Sequence, residues 1–311
     1  MELFHRTTCN SIQIERNWIN YLALIPKLYW SGRRGEEFHQ RALRICLDSQ
    51  DWAIASRCYQ NLSDLYSLRG ELDRGAKVAG EASDLARHAG ARDNESRSLA
   101  YKAWILHLQG DVEKAGQAFK EAEALVNKID SSQLYLDGIW GIKHANHLMR
   151  IGDADYAREV VESNLQIYER HHWPDDISRY HWILGDLCSQ AGKPDSAAEH
   201  YHQALSIARN ISNKLVLVGA LLAWGRWEAR YLKDANAASS DLNEALDYSR
   251  IGGYKIYEVD IRIGLAWAHL AAGHKEKAKA EAIYAKQMSK EMGYYWGNID
   301  ADEVLTEIEK E

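Results

Sequence analysis

Turn residues interrupt long helix-like stretches of this chain at a fixed interval, and apolar positions are arranged around each interruption in the same order. Five turns have the form Gly-x-x-x-x-small: Gly70…Gly75, Gly110…Ala115, Gly152…Ala157, Gly192…Ala197 and Gly273…Ala278. A degenerate copy, Lys233…Ala238, lies between the last two, and a weaker one, Gly32…Glu37, precedes them all. The anchors at 32, 70, 110, 152, 192, 233 and 273 are separated by 38, 40, 42, 40, 41 and 40 residues. Seven positions before the anchor a small residue recurs: Ser63, Ala103, Ala145, Gly185 and Ala266. Nine after it comes a large apolar residue (Phe119, Val161, Tyr201, Leu242), and twelve after it an alanine (Ala82, Ala122, Ala204, Ala245, Ala285). A fixed period near 40 predicts a helical-repeat solenoid, with one helix (A) before each anchor and one (B) after it.

The turn residues fit this reading. Glycine accepts the left-handed conformation that ends helix A. Glu71, Asp111 and Asp153 then stand where an N-cap and the positive end of the helix dipole favour an acid. Pro194 occupies the first turn of a helix B, where its missing N–H costs nothing. In the third unit, helix A is expected over about 95–109 and helix B over about 112–127. The pattern divides the chain into a single array of units at 14–50, 51–91, 92–130, 131–173, 174–212, 213–252 and 253–293. A short acidic helix over 298–311 then caps the last repeat, with Ile299, Val304, Leu305 and Ile308 on one side.

Composition narrows the class. Apolar residues make up 46% and charged residues 27% of 311, the balance of an ordinary folded protein. Only three prolines occur, which favours long helices. A net charge of −7 argues against nucleic-acid binding through general basicity. Cys9, Cys46, Cys58 and Cys188 form no CxxC pair, and a cytoplasmic setting with unpaired thiols is expected. The first ten residues lack an apolar core segment, and the longest apolar run, 215–224, is too short to span a bilayer.

The order small–Gly–Ala–aromatic–Ala resembles the tetratricopeptide repeat, lengthened from its usual 34 residues. The resemblance runs from about 20 to 291, firm in units two to five and seven and faint in units one and six, where Arg226 and Lys233 replace the small residue and the glycine. Tyr21, Tyr59 and His181 hold the aromatic usual near the start of helix A, whereas Leu99, Gly141, Leu222 and Arg262 do not. The resemblance implies an all-α, right-handed superhelical α-solenoid of about seven antiparallel helix pairs. The runs at 134–143, 241–246 and 292–297 further resemble the C-terminal repeat arrays of bacterial signal-transduction ATPases with numerous domains (the STAND class). There the array would be the sensing arm of a nucleotide switch. No Gly-x-x-x-x-Gly-Lys-Ser/Thr loop occurs in this sequence. The faint first unit and polar lead-in at 2–16 would suit a piece cut from a longer protein.

In this family helix A lines the concave face, at positions 13, 10, 6, 3 and 2 before each anchor. The resemblance therefore implies a partner-binding groove of Arg57, Arg97 and Arg179; Gln60 and Trp182; Asp64, Trp104, Asn146, Asp186, Trp227 and Trp267; His107, Met149 and Arg230; and Arg150. Tryptophan and arginine dominate binding hot spots. An acidic, phosphorylated or aromatic-rich protein or peptide would suit the groove, and an intramolecular contact with an upstream ATPase domain is a further expectation. Eleven tryptophans exceed what a groove needs, so most belong to the core. The Lys/Asn clamp for a C-terminal carboxylate is not reproduced, because Lys143 is displaced by one position from the register of Asn146.

Catalytic and metal chemistry find little footing. His144 and His147 share a helical face with His181 on the next helix A, but no carboxylate or cysteine completes a metal site at a recognisable spacing. Cys188 and His181 lie seven apart without a third group. The expectation is a non-catalytic binding array without cofactor or metal. Its role is the sensing arm of a larger STAND-type protein, or alternatively a stand-alone scaffold, or a receptor for a small ligand or metal.

Overall fold

The computed structural model describes residues 33–310. Helix A of unit one, with Tyr21, the anchor Gly32 and the lead-in at 2–16, lies outside the described residues, as does Glu311. Helix B of unit one is α1 (Arg33–Asp48). Unit two pairs α2 (Trp52–Leu68) with α3 (Leu72–His88), and unit three α4 (Arg92–Leu108) with α5 (Val112–Ile129). Unit four pairs α6 (Gly138–Arg150) with α7 (Ala154–His171), and unit five α8 (Pro174–Gln190) with α9 (Pro194–Asn210). In unit six, α10 (Lys214–Trp227) runs on into a π-helical segment, Glu228–Leu232, before α11 (Ala235–Gly252). Unit seven pairs α12 (Lys255–Ala271) with α13 (Lys275–Met292), and α14 (Tyr295–Lys310) caps it. The protein is all-α, with sequential helix pairs stacked as a tetratricopeptide-like solenoid.

The anchors act as their chemistry requires. Gly70, Gly110, Gly152, Gly192 and Gly273 all have positive φ, from +68° to +85°, and Lys233 takes the same left-handed conformation at +53°. The carboxylates of Asp111 and Asp153 accept the N–H groups of Lys114 and Tyr156 and cap their helices. Glu71 stands at the N-cap of α3 without capping it; its longer side chain reaches Arg74 instead. The third-unit helix A starts at Arg92, three residues before the expected start. The cap starts at Tyr295, also three residues early.

The repeated small residues are the helix-pair seams. Ala115, Ala157, Ala197, Ala238 and Ala278 are fully buried, as are Ser63, Ala103, Ala145 and Ala266 opposite them. A short side chain at these positions lets helices A and B approach closely. One repeated bond has no counterpart among the expected positions. Ser56, Ser96 and Ser178, each fourteen before its anchor, donate their hydroxyls to the carbonyls of Ala82, Ala122 and Ala204 at 2.8–2.9 Å. These bonds stitch the start of helix A to the end of helix B within a unit.

Each helix A touches the next helix A, so α2, α4, α6, α8, α10, α12 and α14 form the inner wall in order. The wall curves until its ends meet, with α12 packed against α2. One hydrophobic cluster spans this junction, joining Leu72, Ile105 and Leu108 to Ile256, Val259, Ile263, Tyr294 and Val304. Gly70 leaves room for Met292, and Gly110 for Tyr295. The array is thus a closed turn of solenoid. Among the described residues no helix is long and apolar enough to cross a membrane.

Candidate functional site

Closure converts the expected open groove into a cavity of about 510 Å³ at the centre of the turn. Eleven expected groove residues line it: Asp64, Trp104, His107, Asn146, Met149, Arg150, Arg179, Trp182, Asp186, Trp227 and Arg230. Four do not. Gln60 is buried between units, donating to Asn94 O at 2.8 Å and Ser98 Oγ at 2.9 Å. Arg97 pairs with Asp93 at 3.0 Å and lies over the Trp140 ring, in a separate small cleft. Arg57 is outside the lining, and Trp267 packs on two core clusters beneath Arg230. The wall is completed by Asp260, thirteen before the Gly273 anchor, and by residues that the register did not select, among them Lys143, Tyr201, Arg226, Tyr257, Tyr294 and Trp296.

Most charges on this wall are already partnered. Lys143 Nζ donates to Asp64 Oδ1 at 2.8 Å, a buried pair joining unit four to unit two. Arg179 donates to Asp176 at 2.9 Å. The Tyr201 hydroxyl donates to Asp186 at 2.7 Å, and the Tyr294 hydroxyl to Asp260 at 3.0 Å. Burial raises the Asp186 carboxyl above the ordinary range. Burial, aided by nearby Asp300, pushes Asp260 up to about 6 against the pull of Arg226 and its hydrogen bond to Tyr294.

Arg226 differs from its neighbours, forming no hydrogen bond or ion pair among the described residues. Burial disfavours its charge, but Asp186, Asp300 and Asp260 nearby more than offset this and hold it protonated. Its position follows from the π-helical segment. In unit five, a side chain on Gly185 would strike Tyr201, the large residue nine after the anchor. In unit six the residue meeting the equivalent Leu242, and the carbonyl of Ala238, is Gly225. The π turn inserts one extra residue before the Lys233 anchor, so the seam position falls eight before it rather than seven. Arg226 is therefore not a misfit in the seam. It is the unit-six counterpart of Asp186 and faces the cavity beside it. The sequence signal was the 41-residue step to Lys233, with a glycine one place early.

α14 closes one side through a stripe of residues distinct from its core face. Trp296 Nε1 donates to His107 O at 2.8 Å, and the Arg150 guanidinium lies 5.0 Å over the Trp296 ring. Arg150 grips Asp300 with both Nη groups, one at 2.9 Å. Arg230 Nη2 donates to Glu303 Oε1 at 2.8 Å.

The histidines divide among separate contacts. His144 pairs with Glu123 at 3.0 Å; His147 meets His107 at 3.2 Å; His181 meets His200 at 3.2 Å. Burial, with the neighbouring imidazole, lowers His107 to about 3 and His147 to about 4. Among the described residues no group of three His, Cys, Asp or Glu side chains is placed to hold a metal ion. Cys188 is buried in the main core.

The tetratricopeptide repeat family model matches residues 178–211, which fall on α8 and α9. No curated protein matches the sequence. Three solved structures share the fold. NprR in complex with its cognate peptide NprX aligns with TM-score 0.61 at 13% identity, over 96% of this chain and 83% of that one. A Rap protein complexed with competence and sporulation factor aligns with TM-score 0.60 at 10% identity, over 97% and 98%. A STAND protein with a tetratricopeptide repeat sensor, from Pyrococcus horikoshii, aligns with TM-score 0.58 at 14% identity, over 96% of this chain and 47% of that one. The chain thus spans about half the length of that STAND protein. With the matched repeat at unit five and the same helix-pair stacking along the described residues, the chain carries a tetratricopeptide repeat and has the tetratricopeptide-like solenoid fold.

Proposed function

We propose that this chain is a non-catalytic receptor that holds a short peptide or the extended segment of a protein inside the closed turn. The carrying observation is Arg226: a guanidinium without a direct partner among the described residues, on the wall of a cavity of about 510 Å³ whose other cations are paired. Trp182, Trp227, Tyr257 and Tyr294 supply aromatic surface around it. A ligand carboxylate can take Arg226 in a charge-assisted bidentate bond, and ligand aromatic groups can stack on the walls. The fold shared with NprR, in complex with its cognate peptide, and with a Rap protein, complexed with competence and sporulation factor, supports this reading.

The test is fluorescence-polarisation binding of an array of labelled peptides, five to eight residues long and rich in Asp, Glu, Trp and Tyr. At least one should bind the full chain and lose tenfold or more on Arg226→Gln, with unchanged helix content. Binding that ignores Arg226→Gln, or no binding at all, removes the cavity as the site. A second reading, the sensing arm of a longer STAND-type switch, is favoured by the shared fold with the repeat sensor of the Pyrococcus horikoshii protein. A source-cell immunoblot with an antibody to this chain tests it. A band near 90 kDa or above supports the switch, and one near 35 kDa removes it.

A further inference from the structure

A pair of buried residues twelve apart recurs where the second helix of one unit meets the first helix of the next. Ala86 and Ser98, Tyr168 and Tyr180, and Ala208 and Ala220 occupy it. In the tyrosine pair the ring centroids stand 5.6 Å apart, so residues in this register face each other across the junction. The small pairs are buried with little side chain to fill the space, so the helix backbones approach closely there. Between α1 and α2 the same pair is Cys46 and Cys58, both free thiols, 3% and 1% exposed. They share one core cluster with Ala42, Ala55 and Leu62, and their thiols are hydrogen-bonded to each other. The Cys46 carbonyl accepts the Asp51 N–H at 2.8 Å and the Ser49 hydroxyl at 3.2 Å, which fixes the turn between them. Cys188, by contrast, is buried in the main core, away from both.

We propose that Cys46 and Cys58 are a paired oxidation site, a dithiol that a small-molecule disulfide such as glutathione disulfide converts to an intramolecular disulfide, fastening α1 to α2. A disulfide requires the close approach of this junction, with Cα atoms about 4.4–6.8 Å apart. One cysteine thiolate attacks a sulfur of the oxidant, forming a mixed disulfide and expelling one oxidant thiolate. The other cysteine thiolate attacks the protein sulfur of that mixed disulfide and expels the second. Two protein thiols thus lose two electrons and two protons, and one oxidant disulfide becomes two thiols. Neither thiol meets solvent while the helices are closed, and the bonded Cys46 thiol together with burial raises the Cys58 thiol above its ordinary range. Attack therefore starts when α1 lifts from α2, a local opening of the kind that exposes buried groups. Glu36 opposes the lift. Its carboxylate accepts Arg69 Nη1 at 2.6 Å and the Tyr66 hydroxyl at 2.9 Å from α2, and Arg74 Nη2 at 2.8 Å from α3. Glu36 sets how fast the pair is oxidised.

The experiment incubates the reduced full chain, carrying Cys9→Ser to keep that thiol out of the exchange, with excess glutathione disulfide in native buffer. Remaining thiols are blocked in urea, and the tryptic peptides are weighed without reduction. Peptides 45–57 and 58–69 should appear joined, lighter by two hydrogens than their sum, while Cys188 carries the blocking group. The urea midpoint of the oxidised chain should rise above that of the reduced chain. Cys46→Ala and Cys58→Ser place at this junction the residues of the next one, Ala86 and Ser98, and so keep the fold; in both, the midpoint should not rise with oxidant. Glu36→Gln should join the peptides at least threefold faster. Cysteines that stay free, that keep separate glutathione adducts, or that join with a lowered midpoint overturn the proposal, as does a midpoint that rises equally in the single-cysteine variants. An unchanged rate in Glu36→Gln overturns the access route through α1.

Discussion

Units five and six follow one plan and depart from it at one residue. In unit five, Gly185 sits seven before a glycine anchor, faces Tyr201 across the seam, and is followed by Asp186 on the inner wall. In unit six, Gly225 faces Leu242 in the same way but sits eight before the anchor, and Arg226 takes the wall position. The π turn at Glu228–Leu232 absorbs the difference. It costs regularity: Glu228 Oε2 is buried without a hydrogen-bond partner among the described residues, where unit five has the neutral, buried Cys188 in the equivalent place. The comparison teaches that in a repeat array an inserted residue need not disturb the seam. It can be taken up near the end of the helix, leaving a charge of opposite sign next to its neighbour's on the inner wall.

The largest effect should come from filling the regular seam. Ala197 is fully buried between α8 and α9, so Ala197→Trp should destabilise at or above the ~3 kcal/mol top of the usual overpacking range. A normal melting temperature would show that the seam is misplaced. Next, Gly225→Ala should cost about 1–3 kcal/mol, because the new methyl lies 2.7 Å from Leu242 Cγ. Arg226→Ala should cost less than Gly225→Ala, because the Arg226 side chain faces the cavity rather than the seam. If urea unfolding ranks the two in the opposite order, Arg226 is the seam residue and the shifted register is wrong.

Glu228 sharpens the comparison through pH. Burial, with Asp241 and Asp234 near, pushes its carboxyl up to about 7 from an ordinary 4.5. With the folded value above the unfolded one, stability is fully present below about 4.5 and is lost as pH rises through 7. Glu228→Gln removes that loss. Its melting advantage over wild type should therefore grow between pH 4.5 and 7 and level off above about 8. A pH-independent difference would place Glu228 in a solvated site. The smallest effects are at the anchors. Lys233 holds φ +53° and Gly192 +68°, the latter with open space beyond its Cα. Lys233→Gly should stabilise, and Gly192→Ala destabilise, each by about 1 kcal/mol. Chemical denaturation of the two variants reads the pair, and equal signs would deny that the anchors are equivalent.

Legibility follows the same division. The positions of the anchors and the buried alanines were visible because close helix packing and left-handed turns admit few residue types, and those types recur. Arg226 was misassigned because counting from the anchor presumes α-helical geometry throughout, and a π turn breaks the count without changing the residues that reveal it. Arg57 and Arg97 were assigned to the groove from that same count. The inner wall near units two and three is instead occupied by the Lys143–Asp64 pair and by α12, which arrive from 79 or more residues along the chain. No local spacing encodes that arrival.

The sequence alone determined the helix pairs, their period and, outside unit six, which residues face which seam, because these depend on contacts within one unit. It also held the acid-and-aromatic character of the last helix. Only the tertiary structure decided that the array curves until unit seven meets unit two, that α14 lies across Arg150 and Arg230, and that Arg226 faces the cavity without a partner among the described residues. The reason is physical: curvature is the sum of small rotations at every inter-unit interface, so it is a property of the whole stack.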